Sequence, residues 1–226
     1  MMWGRRDLLC LVAAAGGLPA WAVLAAGEAD SALGVRAALE RGALSAVNLL
    51  GRTDGFFANP RVRIPLPPSF ERVAKVLRMV GQQRKLDDLV LAMNRAAEAA
   101  VPEAKSLLVQ AVRSISIEDA LDLVRGDDTA VTQFFERKTR EPLGERFLPI
   151  VTRATERVSV ARKYNELAGK AASMGLMEAE QARVEPYVTD KALDGLFLMI
   201  GEEERKIRRD PVGTGSSILQ KVFGRW

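Results

Sequence analysis

Asp190 and Asp194 stand four residues apart in a stretch whose apolar residues repeat with helical spacing. Both carboxylates therefore fall on one helical face. Paired carboxylates can perform acid–base work or hold Mg²⁺ or Ca²⁺. Asp190 also suits a plainer task, since an acid in a first helical turn is stabilised by the amide dipoles there. Glu202-Glu203-Glu204, followed by Arg205, Lys206, Arg208 and Arg209, is the densest charge cluster. One reading makes it a cation or partner site. Glu202 with Lys206, and Glu204 with Arg208, are spaced i, i+4, which supports an exposed helix and favours a solvated face. Gly51-Arg52-Thr53-Asp54-Gly55 and Gly213-Thr214-Gly215-Ser216-Ser217 lack the spacing and lysine of a phosphate loop and read as helix breaks. Arg61 and Arg63 flank Val62 and would both face away from a core. They could grip an anionic or acidic partner, while solubilising an exposed edge is the competing and favoured use.

Two absences bound the chemistry more tightly. The 226 residues include no histidine, and the one cysteine, Cys10, lies in a segment expected to be removed. A Ser-His-Asp or Cys-His nucleophile, a Cys/His zinc site, iron–sulfur ligation and His- or Cys-held haem are then excluded, as are structural disulfides. Carboxylates, Lys, Arg, Tyr and hydroxyls remain, and no cofactor is implied. The net charge of +4 comes from Arg and Lys spread along the chain, without the basic, aromatic-interleaved stripe of a nucleic-acid binder.

Residues 1–22 carry the pattern of a cleavable signal peptide. Arg5 and Arg6 form a positive start, and an apolar Leu/Val/Ala/Gly stretch follows. Pro19 precedes Ala20-Trp21-Ala22, a small-x-small cleavage pattern, with Val23-Leu24-Ala25 as an alternative. The apolar run is too short to span a bilayer. Arg5-Arg6 before Asp7-Leu8-Leu9 resembles the twin-arginine export motif, and an ordinary secretory signal with two arginines is the other reading. Cys10 precedes most of the apolar stretch, so it does not mark a lipoprotein. The expected location is the periplasm.

From residue 27 to 224 the spacing predicts one all-α domain of about nine helices, with a Pro-rich extended arm near residues 53–68. The first helix spans about residues 30–50, with Val35, Leu39, Ala43, Ala46 and Leu50 on one face. In the arm, Val62, Ile64 and Leu66 alternate with Arg61, Arg63 and Pro65. Ser69 is placed to cap a helix carrying Phe70, Val73, Leu77 and Val80. Leu86, Leu89, Val90, Met93, Ala97 and Ala100 mark the next, with Asp87 and Asp88 near its positive end. Pro102 suits the first position of another, and Ser116 with Asp119 forms a capping box for a helix ending at Gly126. Asp127 or Asp128 would start a helix with Val131, Phe134 and Phe135 inward. Phe147, Val151, Ala154, Val158 and Ala161 continue to about Lys170, with Pro149 kinking that run or starting it. Residues 173–186 read as a loop with a short helix. Thr189 would cap a helix carrying Leu193, Leu196, Phe197 and Ile200, and a small terminal helix carries Ile218, Leu219, Val222 and Phe223.

Several runs carry a resemblance to a known family: Asn59-Pro60-Arg61-Val62-Arg63-Ile64-Pro65-Leu66-Pro67, Asn94-Arg95-Ala96-Ala97-Glu98, Val101-Pro102-Glu103-Ala104-Lys105 and Phe134-Phe135-Glu136-Arg137-Lys138-Thr139. Asp190-Lys191-Ala192-Leu193-Asp194-Gly195-Leu196-Phe197 and residues 202–211 complete the set. In order along nearly the whole chain after the signal, they resemble a bacterial exported family known as domain of unknown function 4197. The resemblance implies an all-α fold and an envelope location, with no activity, cofactor or catalytic residue. The expectation is a periplasmic helical protein that binds an envelope protein, lipid or small ligand, without a transmembrane helix. A carboxylate-only hydrolase is the runner-up. A third reading is a peripheral membrane protein using Lys221, Arg225 and Trp226.

Overall fold

The computed structural model describes residues 20–157, 159–173 and 183–210. Arg5, Arg6, the apolar stretch of the signal, the second glycine-rich run and the expected terminal helix lie outside them. Eight α-helices and two short 3-10 turns make up the described secondary structure, all-α as expected and close to the expected nine.

Helix α1, Ala20–Leu50, buries Val35, Leu39, Ala43, Ala46 and Leu50 along one face. It begins ten residues earlier than the spacing indicates, so Ala20 and Ala22 lie in its first turn. The arm then crosses the core with Val62 and Ile64 buried and Arg61, Arg63 and Pro65 exposed, the alternation its sequence predicts. Its first half is a series of turns in which Phe56 is completely buried.

A 3-10 turn, Pro68–Phe70, leads into helix α2, Glu71–Met79. Ser69 does not cap this helix; its hydroxyl accepts a hydrogen bond from the Tyr164 hydroxyl at 2.8 Å. Phe70 and Ala74 are buried and Leu77 packs on the core, but Val80 is 62% exposed rather than inward. The helix stops at Met79, and Val80 leaves the helical path (φ −94°, ψ 18°) just before Gly81 turns the chain at φ 73°. Gly81 tolerates that left-handed conformation because it has no Cβ.

Helix α3, Gln83–Ala100, buries Leu86, Leu89, Met93, Ala97 and Ala100. It starts at Gln83, so Asp87 and Asp88 lie beyond its first turn. Pro102 sits in a 3-10 turn, Val101–Glu103, ahead of helix α4, Ala104–Arg113. Helix α5, Ile117–Arg125, carries the predicted capping box: Asp119 N–H donates to Ser116 Oγ at 3.0 Å, and Ser116 N–H donates to the Asp119 carboxylate at 3.3 Å. Reciprocal bonds of this kind satisfy amides that the helix itself leaves open.

Helix α6, Ala130–Thr155, contains both Pro142 and Pro149. Pro149 neither ends nor starts a helix, and the break falls after Thr155, before helix α7, Ser159–Ser173. Pro149 is exposed, as is Glu145, whose carbonyl the proline leaves without its intrahelical donor. Water can satisfy a carbonyl so placed. Helix α8, Val184–Arg209, starts before Thr189, which is buried inside the helix and does not cap it.

Helix α6 packs mainly on α8 and α3, and α1 packs on α8 and α4. Their buried residues form one continuous core that includes the arm. The closest approach is at Gly195 of α8, where an added Cβ would lie 2.7 Å from the Phe56 ring and 3.2 Å from Val62 Cβ. Phe56 is fully buried and has no room to withdraw. Gly195→Ala is therefore expected to destabilise the protein by about 1–3 kcal/mol through overpacking, despite alanine's better helix propensity. Urea denaturation checks this, and an unchanged or raised midpoint would contradict it.

Candidate anion-binding cleft

Three buried glutamates determine how the elements around the candidate site meet. Glu98, on α3, accepts backbone N–H bonds from Phe56 and Phe57 at 3.0 and 3.1 Å. One turn earlier on the same face, Asn94 accepts from Ile64 N–H and donates to Ile64 C=O, each at 2.9 Å. Asn94 thus does for the arm what a neighbouring β-strand would do, and the arm's buried amides are satisfied without a sheet. Arg95 bridges Glu98 at 2.6 Å and Asp54 at 2.7 Å, and the two carboxylates hold its guanidinium above its usual range.

Glu204, on α8, accepts from Val131 N–H, Thr132 N–H and the Thr132 hydroxyl at 3.1, 2.9 and 2.7 Å. It caps the first turn of α6 from a different helix. Thr129 precedes that helix without a side-chain cap, and Asp127 is occupied by the Thr129 N–H and hydroxyl. Arg208 pairs with Glu204 at 2.9 Å and donates to Leu123 C=O at 2.8 Å. Glu185 accepts from the Thr155 hydroxyl, Asn165 Nδ2 and Arg183 Nε, joining the end of α6 to α7 and the start of α8.

These contacts correct the reading of residues 202–209 as a wholly solvated face. Glu204 is 6% exposed, and Glu202 is paired with Arg61 across from the arm. The i, i+4 pair Glu204–Arg208 forms, but as a buried tie between helices. Both partners found their contacts on elements far away in sequence, which helical spacing does not register.

Beside the Glu202–Arg61 pair lies a cavity of about 460 Å³, lined by Arg61, Glu202, Arg205, Lys206, Arg209 and Asp210. Glu202, Arg205, Lys206 and Arg209 are spaced i, i+3, i+4, i+7, so one face of α8 supplies four of its six residues. The arm supplies Arg61 from the opposite side. Four cations thus meet two carboxylates. Arg205, Lys206 and Arg209 have no acid partner among the described residues. Planar guanidinium groups match the oxygens of phosphate or carboxylate in pairs, and the ammonium adds a point charge. The volume falls in the ordinary range of small-ligand sites.

Arg63, the other arginine of the arm, does not join Arg61. It lies over the Phe57 ring, 4.4 Å from the centroid, a cation–π contact. The arm places the two on separate tasks.

Asp190 and Asp194 do not form a paired-carboxylate site. Asp194 is held by Arg140 at 2.7 Å and Lys191 at 2.9 Å. Burial pushes its carboxyl up, but hydrogen bonds and charge from those two cations outweigh burial and hold it below its ordinary range. Asp190 is exposed and 4.0 Å from Arg140. Among the described residues no three acids come together to hold a metal ion. Glu98, Glu185 and Glu204 are each spent on separate contacts. No described helix is long and apolar enough to cross a membrane. A second cavity, about 420 Å³, is lined by Pro67, Pro68, Arg183, Pro186, Tyr187 and Asp190, among others. Its arginine is already paired with Glu185 and its tyrosine hydroxyl donates to Pro65 C=O, so it offers no free cation.

No curated protein and no solved structure matches this chain. A family model described as protein of unknown function (DUF4197) matches residues 25–224, which takes in α3, the arm and the cleft alike. The chain belongs to the DUF4197 family.

Proposed function

We propose that the protein is an exported binding protein of the cell envelope whose cleft takes an anionic group, a phosphate or carboxylate, of a small ligand. The observation that carries this reading is the convergence of Arg61, Arg205, Lys206 and Arg209 on one cavity, with three of the four lacking an acid partner among the described residues. Leaving like charges together costs self-repulsion, and an anion in the cleft relieves it. Export to the periplasm rests on residues 1–22, with Arg5-Arg6 fitting the twin-arginine route and Ala20-Trp21-Ala22 the cleavage site.

Calorimetric titration with pyrophosphate tests the cleft. Saturable, salt-sensitive binding is expected, and Arg205→Gln combined with Arg209→Gln should weaken it at least about tenfold, or roughly 1.4 kcal/mol. Neither side chain is part of the core, so the fold should be retained. Absence of pyrophosphate binding, or binding unchanged in the double variant, would overturn the proposal.

A further inference from the structure

Helix α2 leaves an apolar face that the fold does not use. Phe70, Ala74 and Leu77 turn toward the core, whereas Val76, Met79 and Val80 are 53%, 71% and 62% exposed. Val76, Met79 and Val80 stand at i, i+3 and i+4, so they form one patch at the end of the helix, next to the Gly81 turn into α3. Scattered exposed apolar residues are ordinary, but three adjacent ones at the tip of a helical hairpin are not.

Cations outnumber acids around this patch. Residues 71–85 contain Arg72, Lys75, Arg78, Arg84 and Lys85 against a single acid, Glu71. Lys75, Arg78, Arg84 and Lys85 are all exposed. Glu71 lies 3.7 Å from Arg78 on open surface, where such a pair is weak and screened. Asp87 and Asp88, the next acids, are exposed on α3 beyond this cluster, and Asp87 accepts a hydrogen bond from Gln83. An apolar patch ringed by cations is complementary to a surface that is apolar inside and anionic at its rim. A protein partner would need an acidic collar around an apolar socket, whereas an anionic bilayer offers both layers over any area.

We propose that the α2–α3 hairpin docks the protein on anionic lipid bilayers, with Val76, Met79 and Val80 entering the interfacial layer and Lys75, Arg78, Arg84 and Lys85 facing lipid phosphates. The cleft on α8 is a separate feature, and neither proposal depends on the other.

The full chain, with Cys10→Ser and Met79→Cys carrying a polarity-sensitive fluorophore, tests this with vesicles of phosphatidylglycerol and phosphatidylcholine. A blue shift is expected with the anionic vesicles, falling as salt rises and weak with phosphatidylcholine alone. The same label at Glu141→Cys, exposed on α6, should not shift. Val76→Asp with Met79→Asp should reduce vesicle co-sedimentation at least about tenfold. Both sites are exposed, so this variant should fold. Val76→Asp with Met79→Asp should leave pyrophosphate binding unchanged, since neither residue lines the cleft, which separates the result from the fate of the cleft. Three outcomes would overturn the proposal: co-sedimentation without a shift at position 79, a shift at position 79 that grows with protein concentration in the absence of vesicles and so reports a second copy of the chain, or binding unaffected by the aspartates.

Discussion

Replacing Glu204 with alanine is expected to remove about 3–5 kcal/mol of stability, the largest loss from any single side chain outside the apolar core. Its carboxylate is 5% exposed and Arg208 12%, so the pair is removed from solvent screening. The alanine variant would take from Arg208 its carboxylate partner one turn away and leave Val131 N–H and Thr132 N–H without their acceptor at the start of α6. No local residue stands ready to replace it, because Thr129 makes no side-chain cap. In a domain of this size the loss corresponds to a fall in melting temperature of roughly 6–20 °C. Glu204→Gln should lie between parent and alanine, since the amide keeps one acceptor and loses the charge. Denaturation midpoints at constant m-value measure both variants, and a loss below about 1 kcal/mol for the alanine would refute the interhelical cap.

Glu98→Ala should follow at about 2–4 kcal/mol. The cost comes chiefly from the buried amides of Phe56 and Phe57, each worth about 1–3 kcal/mol when left unsatisfied. The bridge to Arg95 contributes less, since that guanidinium is 37% exposed. Unlike the Glu204 change, this one should act first on the arm. Tryptic cleavage after the exposed Arg61 and Arg63 is expected to speed up before the helices unfold, because local opening exposes backbone ahead of global unfolding. Combining it with Asn94→Ala should give less than the sum of the two losses, since either change frees the same arm. The arm delivers Arg61 to the cleft, so pyrophosphate binding should weaken as well. Unchanged proteolysis would mean that apolar packing of Phe56, Val62 and Ile64 holds the arm by itself.

Much of the fold is legible in the amino-acid sequence. The all-α class, the inward face of α1 and the capping box at Ser116 and Asp119 follow from spacing within a few residues, where the physics is local. The alternation of Val62 and Ile64 with Arg61 and Arg63 is equally local, because successive residues of an extended chain face opposite sides. Tertiary structure decided what the polar residues do. A glutamate within a helix has the sequence signature of a solvated residue, and Glu98, Glu185 and Glu204 differ from the rest in which donors stand opposite them. For Glu204 they include amides 72 and 73 residues away. The same dependence on distant partners turned residues 202–209 from a solvated face into a tie and a basic cleft, and left Asp194 pinned between two cations instead of paired with Asp190. It also left Val76, Met79 and Val80 uncovered. Asp190 and Asp194, the pair whose spacing suggested chemistry, share a helical face as their four-residue interval requires; what surrounds that face was set by α6, whose Arg140 reaches across 54 residues of chain to claim Asp194.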